Sequence, residues 1–336
     1  MDEPRRMIVK PLAEESLGSR SMCTFIETSD TRVLLDPGIS LCPIRSGFPP
    51  HPEEYKALIE GRARILKYAA EAEVVTISHY HLDHYTPPFE EWCYHWSSPE
   101  IARHVYGGKI LLVKDYRIGL SYNQRRRGWL FLKTGGRHAS KIENADGRNF
   151  KFGKTNITFS SPVYHGAEGT ELGSVLMLLI EDEEERVVFA SDVQGPMYDE
   201  PLQVILRWRP DILIVSGPPL YLSGFKVNME DITRGVRNLT ELARKVPKIL
   251  LGHHFLRSAD WRYFAKSIFD ASIESGHEVL TFSECLGLDE RVLEAQRNVL
   301  YKKYPPIEEF LKWSKISYHK RRMIKPPNIT YMFKKA

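Results

Sequence analysis

Short apolar runs broken by turn residues open the chain. Residues 7–10, 22–27 and 32–36 are rich in β-formers, and Thr28–Thr31 supplies a turn, so the pattern predicts three short strands. A helix is expected over 52–71: Pro52 suits a first turn, Glu53 and Glu54 suit its positive end, and Tyr55, Leu58, Ile65, Leu66 and Ala69 form an apolar face. A strand over 73–77 then delivers the chain into His79. Further strands are expected at 109–113, 150–152, 156–160, 174–180 and 186–191, the last two parted by the acidic turn 181–185. From there the pattern alternates: helix 200–208, strand 211–215, helix 229–245, strand 248–251, helix 258–275, strand 278–282. A helical tail over 289–304 follows. The stretch 85–150 is less regular. Hairpins followed by α/β alternation, with no Gly/Ser linker or short repeat, predict an α/β chain of stacked sheets flanked by helices in one layered domain over 1–287. Residues 85–150 read as an insertion-like segment and 288–336 as a helical, basic tail.

Composition narrows the classes without choosing one. The chain has 336 residues, 42% hydrophobic and 27% charged, enough for a sizeable core. Its net charge of +4 permits contact with nucleic acid or phosphorylated substrates but does not argue for it. The opening MDEPRRMIVKPLAEE has no apolar core region of a signal peptide, and no run approaches the roughly 18 apolar residues of a membrane span. Cys23, Cys42, Cys93 and Cys285 fall singly, without metal-ribbon spacing, and read as small hydrophobes. A cytoplasmic protein with no membrane contact is expected.

The stretch SHYHLDH, residues 78–84, changes the picture. Three imidazoles and a carboxylate this close would repel or remain unpaired unless a cation holds the rings neutral. Other strands also end on ligand-type residues: His165 in SPVYHG, Asp192 in VVFASD, and His253 and His254 in ILLGHH. Side chains released at strand ends can converge, and neutral imidazole with carboxylate suits zinc, iron or manganese. Seven such ligands suffice for two ions with one bridging carboxylate.

The pattern His-x-His-x-Asp-His resembles the signature of the metallo-β-lactamase superfamily, over roughly residues 7–285. The segments AEESLGSRSM, DPGIS, SHYHLDHYTP and NQRRRGW are most similar to a largely archaeal, uncharacterised metallo-hydrolase branch of it. The resemblance implies an αββα sandwich and two divalent ions, zinc foremost. One would be held by His79, His81 and His165, the other by Asp83, His84 and a terminal histidine, with Asp192 bridging. His253 is preferred as that terminal ligand because it directly follows Gly252 at the strand end, with His254 as the alternative. Asp36, in LLDPG, would support the site without ligating. The chain departs from many relatives at Tyr85-Thr86-Pro87-Pro88, where they carry a glycine pair, and a changed pocket rim is expected there.

Hydrolysis by a metal-activated hydroxide is the expected reaction, with Asp83 and Asp192 as candidates to orient the nucleophile or take its proton. No GxSxG elbow supports a covalent serine route. Arg125, Arg126 and Arg127, with Trp129 and His138 nearby, could grip phosphates, so a phosphodiester, nucleic acid included, is the first substrate class. The plainer reading of these arginines is a solvated helix face. A small ester, thioester or lactone is the alternative. An iron-dependent oxidoreductase and a non-catalytic nucleic-acid-binding protein stand behind these. Tyr221 could line the pocket, and Glu14, Glu15, Ser19 and Arg20 could border it. The basic residues Lys312, Lys315, Lys320, Arg321, Arg322, Lys325, Lys334 and Lys335 read as a nucleic-acid footprint or a solubilising tail.

Overall fold

The computed structural model describes residues 6–327; Lys334 and Lys335 lie outside them. The first sheet runs in spatial order β1 (Ile8–Pro11), β2 (Thr24–Glu27), β3 (Arg32–Leu35), β4 (Val74–Ile77), β5 (Ile110–Val113) and β6 (Lys141–Asn144). β1–β3 run antiparallel, β2 and β3 joined by a tight turn and β1 and β2 by a longer connection holding the short turn Glu15–Leu17. The parallel pairs from β3 to β6 need crossovers, supplied by α1 (Pro52–Glu71), α2 (Pro99–Tyr106) and α3 (Tyr122–Lys133). β7 (Asn149–Phe152) and β8 (Thr155–Phe159) begin the second sheet, and β9 (Val163–Tyr164) with β10 (Ser174–Val175) forms a separate two-stranded ribbon. β11 (Leu178–Glu181), β12 (Arg186–Phe189), β13 (Ile212–Ser216), β14 (Lys248–Gly252) and β15 (Glu278–Leu280) complete the second sheet, in spatial order 15-14-13-12-11-8-7. Its parallel half is crossed by α4 (Asp199–Trp208), α5 (Met229–Lys245) and a segment containing α6 (Trp261–Phe264) and α7 (Lys266–Glu274).

Three apolar clusters show the layering. Ile26, Val33, Leu35, Val74 and Leu112 of the first sheet pack with Ile157, Leu178, Ile180, Val187, Phe189 and Ile214 of the second. Their alternate neighbours face outward: Leu34, Val75, Ile77 and Leu111 meet Tyr55, Leu58, Ile65 and Phe131. On the far side Val188, Leu213, Val215 and Ile249 meet Leu202, Ile205, Leu239 and Ile268. Strands buried on both faces between helices give an αββα sandwich, the layout of the metallo-β-lactamase fold.

The elements differ from expectation in four places. The segment 85–150 holds the helices α2 and α3 and the strand β6. The expected strand 174–180 is divided between the ribbon and the sheet. The expected helix 258–275 starts later, as α6, and gives way to α7 at Ala265. In the tail, only Arg297–Lys303 of the stretch 289–304 is helical. Cys23 and Cys93 are buried, Cys42 and Cys285 half-buried, and all four are free. Among the described residues no helix is long and apolar enough to cross a membrane.

Candidate metal centre

The ligand-type residues gather where strand ends of both sheets meet. Three site positions lie in the left-handed backbone region although none is glycine: Asp36 (φ 41°), Ser191 (φ 25°) and His253 (φ 60°). Such turns cost energy, and here they return the chain toward one point as it leaves β3, β12 and β14. Gly38 permits the closest packing: a Cβ there would lie 2.3 Å from the backbone nitrogens of His84 and Tyr85. Only a residue without a side chain lets the DPG turn lie against the motif loop.

Asp192 is the hub. Its Oδ2 lies 2.9 Å from His165 Nε2, 3.2 Å from His84 Nε2, and 3.5 Å from both His79 Nε2 and His254 Nε2; its Oδ1 lies 3.2 Å from His253 Nε2. One potential ligand atom each from His79, His81, His165 and Asp192 lies within 4.8 Å of the others. The same holds for Asp83, His84 and His253, and for Asp192, His253 and His254. His79 Nε2, His165 Nε2 and Asp192 Oδ1 are buried without a hydrogen-bond partner. Leaving such atoms unpaired is costly, and several aimed at one place fit divalent cations.

Neighbouring carboxylates fix the ring orientations. Asp36 accepts the Ser78 backbone N–H (2.8 Å), the Ser78 hydroxyl, the Ser191 hydroxyl (3.2 Å) and His84 Nδ1–H (2.9 Å). Because a carboxylate only accepts, His84 carries a proton on Nδ1, which leaves Nε2 as the nitrogen facing the cluster. Glu15 does the same for His253 Nδ1 at 3.0 Å, while Glu14 accepts the His253 backbone N–H at 2.7 Å. The Gln194 amide reaches His165 Nδ1 and His254 Nε2, both at 3.3 Å. Gln124, in the first turn of α3, lies 3.2 Å from His81 Nε2 and accepts the Tyr80 backbone N–H.

Protonation follows from this packing. Burial, aided by His84, holds His79 down to about 4, and burial also keeps His81 and His254 well below the usual imidazole range. Burial alone would raise Asp83 and Asp192, but the surrounding imidazoles outweigh it and hold both well below the carboxylate range. His84 and His253 run the other way. Burial would lower them, yet Asp192 beside His84 raises it well above the usual value, and Glu15 with Asp192 pushes His253 up to about 9. His79, His81 and His254 are thereby neutral, as metal ligation requires, whereas His84 and His253 hold protons that a bound cation would displace.

Other expected residues fall less uniformly. His253 and His254 both reach Asp192, but His253 also groups with Asp83 and His84. The Tyr221 hydroxyl lies 3.2 Å from His254 Nδ1. On α3, Arg125 and Arg126 are exposed; Arg127, half-buried, donates to the Tyr80 carbonyl at 3.4 Å. His138 lies beyond α3, lining a separate hollow with Pro88, Pro99 and Arg137. Arg20 pairs with Glu294 instead of the cluster. Tyr85 and Thr86 are buried, and Thr86 is held by Arg62 and the Pro37 carbonyl. These two residues pack toward the helix layer, Tyr85 within its apolar cluster and Thr86 against Tyr106. In the basic tail, Arg321 is buried against Tyr94 and Trp313, and Lys312 pairs with Glu308.

Gln194, Ser78 and Arg257 were not anticipated from the sequence. Their signal was positional: two residues after Asp192, one before His79, and four after His253 in HHFLR.

No family model matches the chain. Among solved structures it is similar to the metallo-β-lactamase fold protein YhfI of Bacillus subtilis, 17% identical, TM-score 0.47, covering 82% of this chain and 97% of that one. Igni18, a metallo hydrolase of Ignicoccus hospitalis, is 14% identical with TM-score 0.44, over 82% and 95%. Likeness at that level says nothing of chemistry. The sequence relatives are far nearer. A UPF0282 protein of Pyrobaculum aerophilum is 40% identical over 300 residues, 89% of this chain and 96% of its own length. One of Methanopyrus kandleri is 42% identical over 294 residues, 88% and 99%. One of Thermococcus gammatolerans is 44% identical over 298 residues, 88% and 96%. With identity of this order along nearly the whole of each relative, the chain belongs to the UPF0282 family.

Proposed function

We propose that the protein is a metal-dependent hydrolase with two divalent ions, zinc foremost, and that its substrate is a phosphodiester. The observation that carries the metal reading is Asp192, ringed by five imidazoles within 3.5 Å, with buried ligand atoms left unpaired around it. Bound there, divalent ions would lower the pKa of a coordinated water and polarise a phosphoryl oxygen. His79, His81, His165 and Asp192 would hold one; Asp83, His84 and His253 would hold the other, sharing Asp192.

The two catalytic candidates then divide their work. Asp192 is 1% exposed and walled by rings, which suits a bridge. The Asp83 side chain is 15% exposed, at the edge of the cluster, and ionised at neutral pH. It can orient an attacking water and take its proton. The phosphodiester reading draws on α3, whose Gln124 touches His81 while the next three residues are Arg125, Arg126 and Arg127.

The test is hydrolysis of bis-p-nitrophenyl phosphate beside a p-nitrophenyl ester and a lactone, using zinc- or manganese-loaded protein. Diester hydrolysis falling about 100-fold in Asp83→Asn is expected. Turnover of the ester or lactone without the diester would reject the substrate class, and an unaffected Asp83→Asn would reject its role.

A further inference from the structure

We infer that Arg257 makes the two metal positions unequal, so that the Asp83–His84–His253 position binds its ion far more weakly than the other; this rests on the metal-centre reading above. Arg257 is 2% exposed and ends the short turn His253–Arg257. Four residues after His253, its side chain folds back onto the cluster. Its Nε donates to Glu15 Oε1 at 2.7 Å. Nη2 lies 3.3 Å from Asp83 Oδ2 and 3.1 Å from His253 Nε2, and Nη1 lies 3.2 Å from the Tyr221 hydroxyl and 3.3 Å from His254 Nδ1.

Two of the three ligands in the second set therefore already face a permanent positive charge. The Asp83 oxygen that neighbours His253 is the one Arg257 contacts, and the guanidinium lies against the ring nitrogen that a cation would need. Among the described residues no Lys or Arg is hydrogen-bonded to the first set. There the polar neighbours are the neutral amides of Gln124 at His81 and Gln194 at His165, and the Ser78 hydroxyl, 3.0 Å from His79 Nδ1. Glu15 offsets part of the charge but spends its carboxylate on both Arg257 and His253. A dication entering the second set meets a cation within contact distance of its ligands, in a buried setting where screening is weak. One entering the first does not.

Calorimetric titration of metal-free protein with Zn²⁺ alone tests this. Neighbouring-residue changes move metal affinity by about 10–100-fold, and two phases separated by that range are expected in the natural protein. Arg257→Met combined with Glu15→Gln removes both charges and leaves an acceptor for His253 Nδ1. In it the second phase should tighten toward the first, whose affinity stays put; Arg257→Lys should keep the gap. Two equivalents of equal affinity in the natural protein would overturn the inference while leaving the metal centre standing. So would a gap unchanged in a double variant whose circular dichroism is native. Absence of Zn²⁺ binding in the natural protein would overturn both readings. If the double variant does not fold, the natural protein's phases still decide.

Discussion

Asp36 illustrates how a residue that touches no metal can govern a metal site. With 0% exposure it accepts four hydrogen bonds, from both groups of Ser78, from Ser191 and from His84. Ser78 precedes His79 and Ser191 precedes Asp192, so one carboxylate aligns three ligands on two sheets. Asn at this position would offer one acceptor oxygen and an amide where a donor now points. Asp36→Asn is expected to weaken Zn²⁺ binding by about 10–100-fold, measured calorimetrically on protein with a native far-ultraviolet spectrum. An unchanged Kd would show that His84 does not depend on it. At this scale the sequence was informative because strand-ending His and Asp residues stand out in apolar runs. Gln124, Gln194 and Arg257 were harder to see: amides and arginines are ordinary surface residues, and only packing shows them turned inward.

Among the elements, the segment 289–304 departs most from its pattern. Its apolar spacing suits a helix, but tertiary bonds take its first half. The Arg291 backbone N–H donates to the Ser16 carbonyl at 2.7 Å, and Glu294 pairs with Arg20 through two contacts of 2.6 Å. Where the helix does start, Arg297 grips Glu54 of α1 through two contacts of 2.7 Å. Local propensity loses to buried ion pairs that single-segment periodicity cannot reveal. The Glu294 pair also makes a pH prediction. Burial would raise its carboxyl, but Arg20 overrides this and brings it from 4.5 down to about 2. Its contribution is full above about pH 4.5, where the unfolded carboxyl is also ionised, and disappears as pH falls through about 2. That drop corresponds to about 3 kcal/mol. Urea unfolding between pH 6 and 2 should therefore show a shallower acid loss for Glu294→Gln, which starts less stable. Parallel pH curves for the two proteins would refute it.

For the whole molecule, the α/β alternation and strand ends were legible, because parallel strands buried on both faces read as apolar runs. The far edge of the first sheet was not. β6 carries the sequence KIEN, exposed or half-buried throughout, and lacks a strand's apolar signature. The sandwich explains why the cluster needs both halves of the chain. His79, His81, Asp83 and His84 leave the first sheet, His165 leaves the ribbon, and Asp192, His253 and His254 leave the second sheet. A cation at that seam would tie the sheets together and stabilise the folded state by mass action. Asp192 lies at the centre of it, reached by histidines from every one of these elements. Elemental analysis of protein purified without added metal, set beside Asp192→Ala, therefore bears on the site directly. Roughly one to two equivalents of a divalent transition metal in the natural protein, lost in Asp192→Ala, is the expected result. A metal-free natural protein, or full retention in the variant, would contradict it.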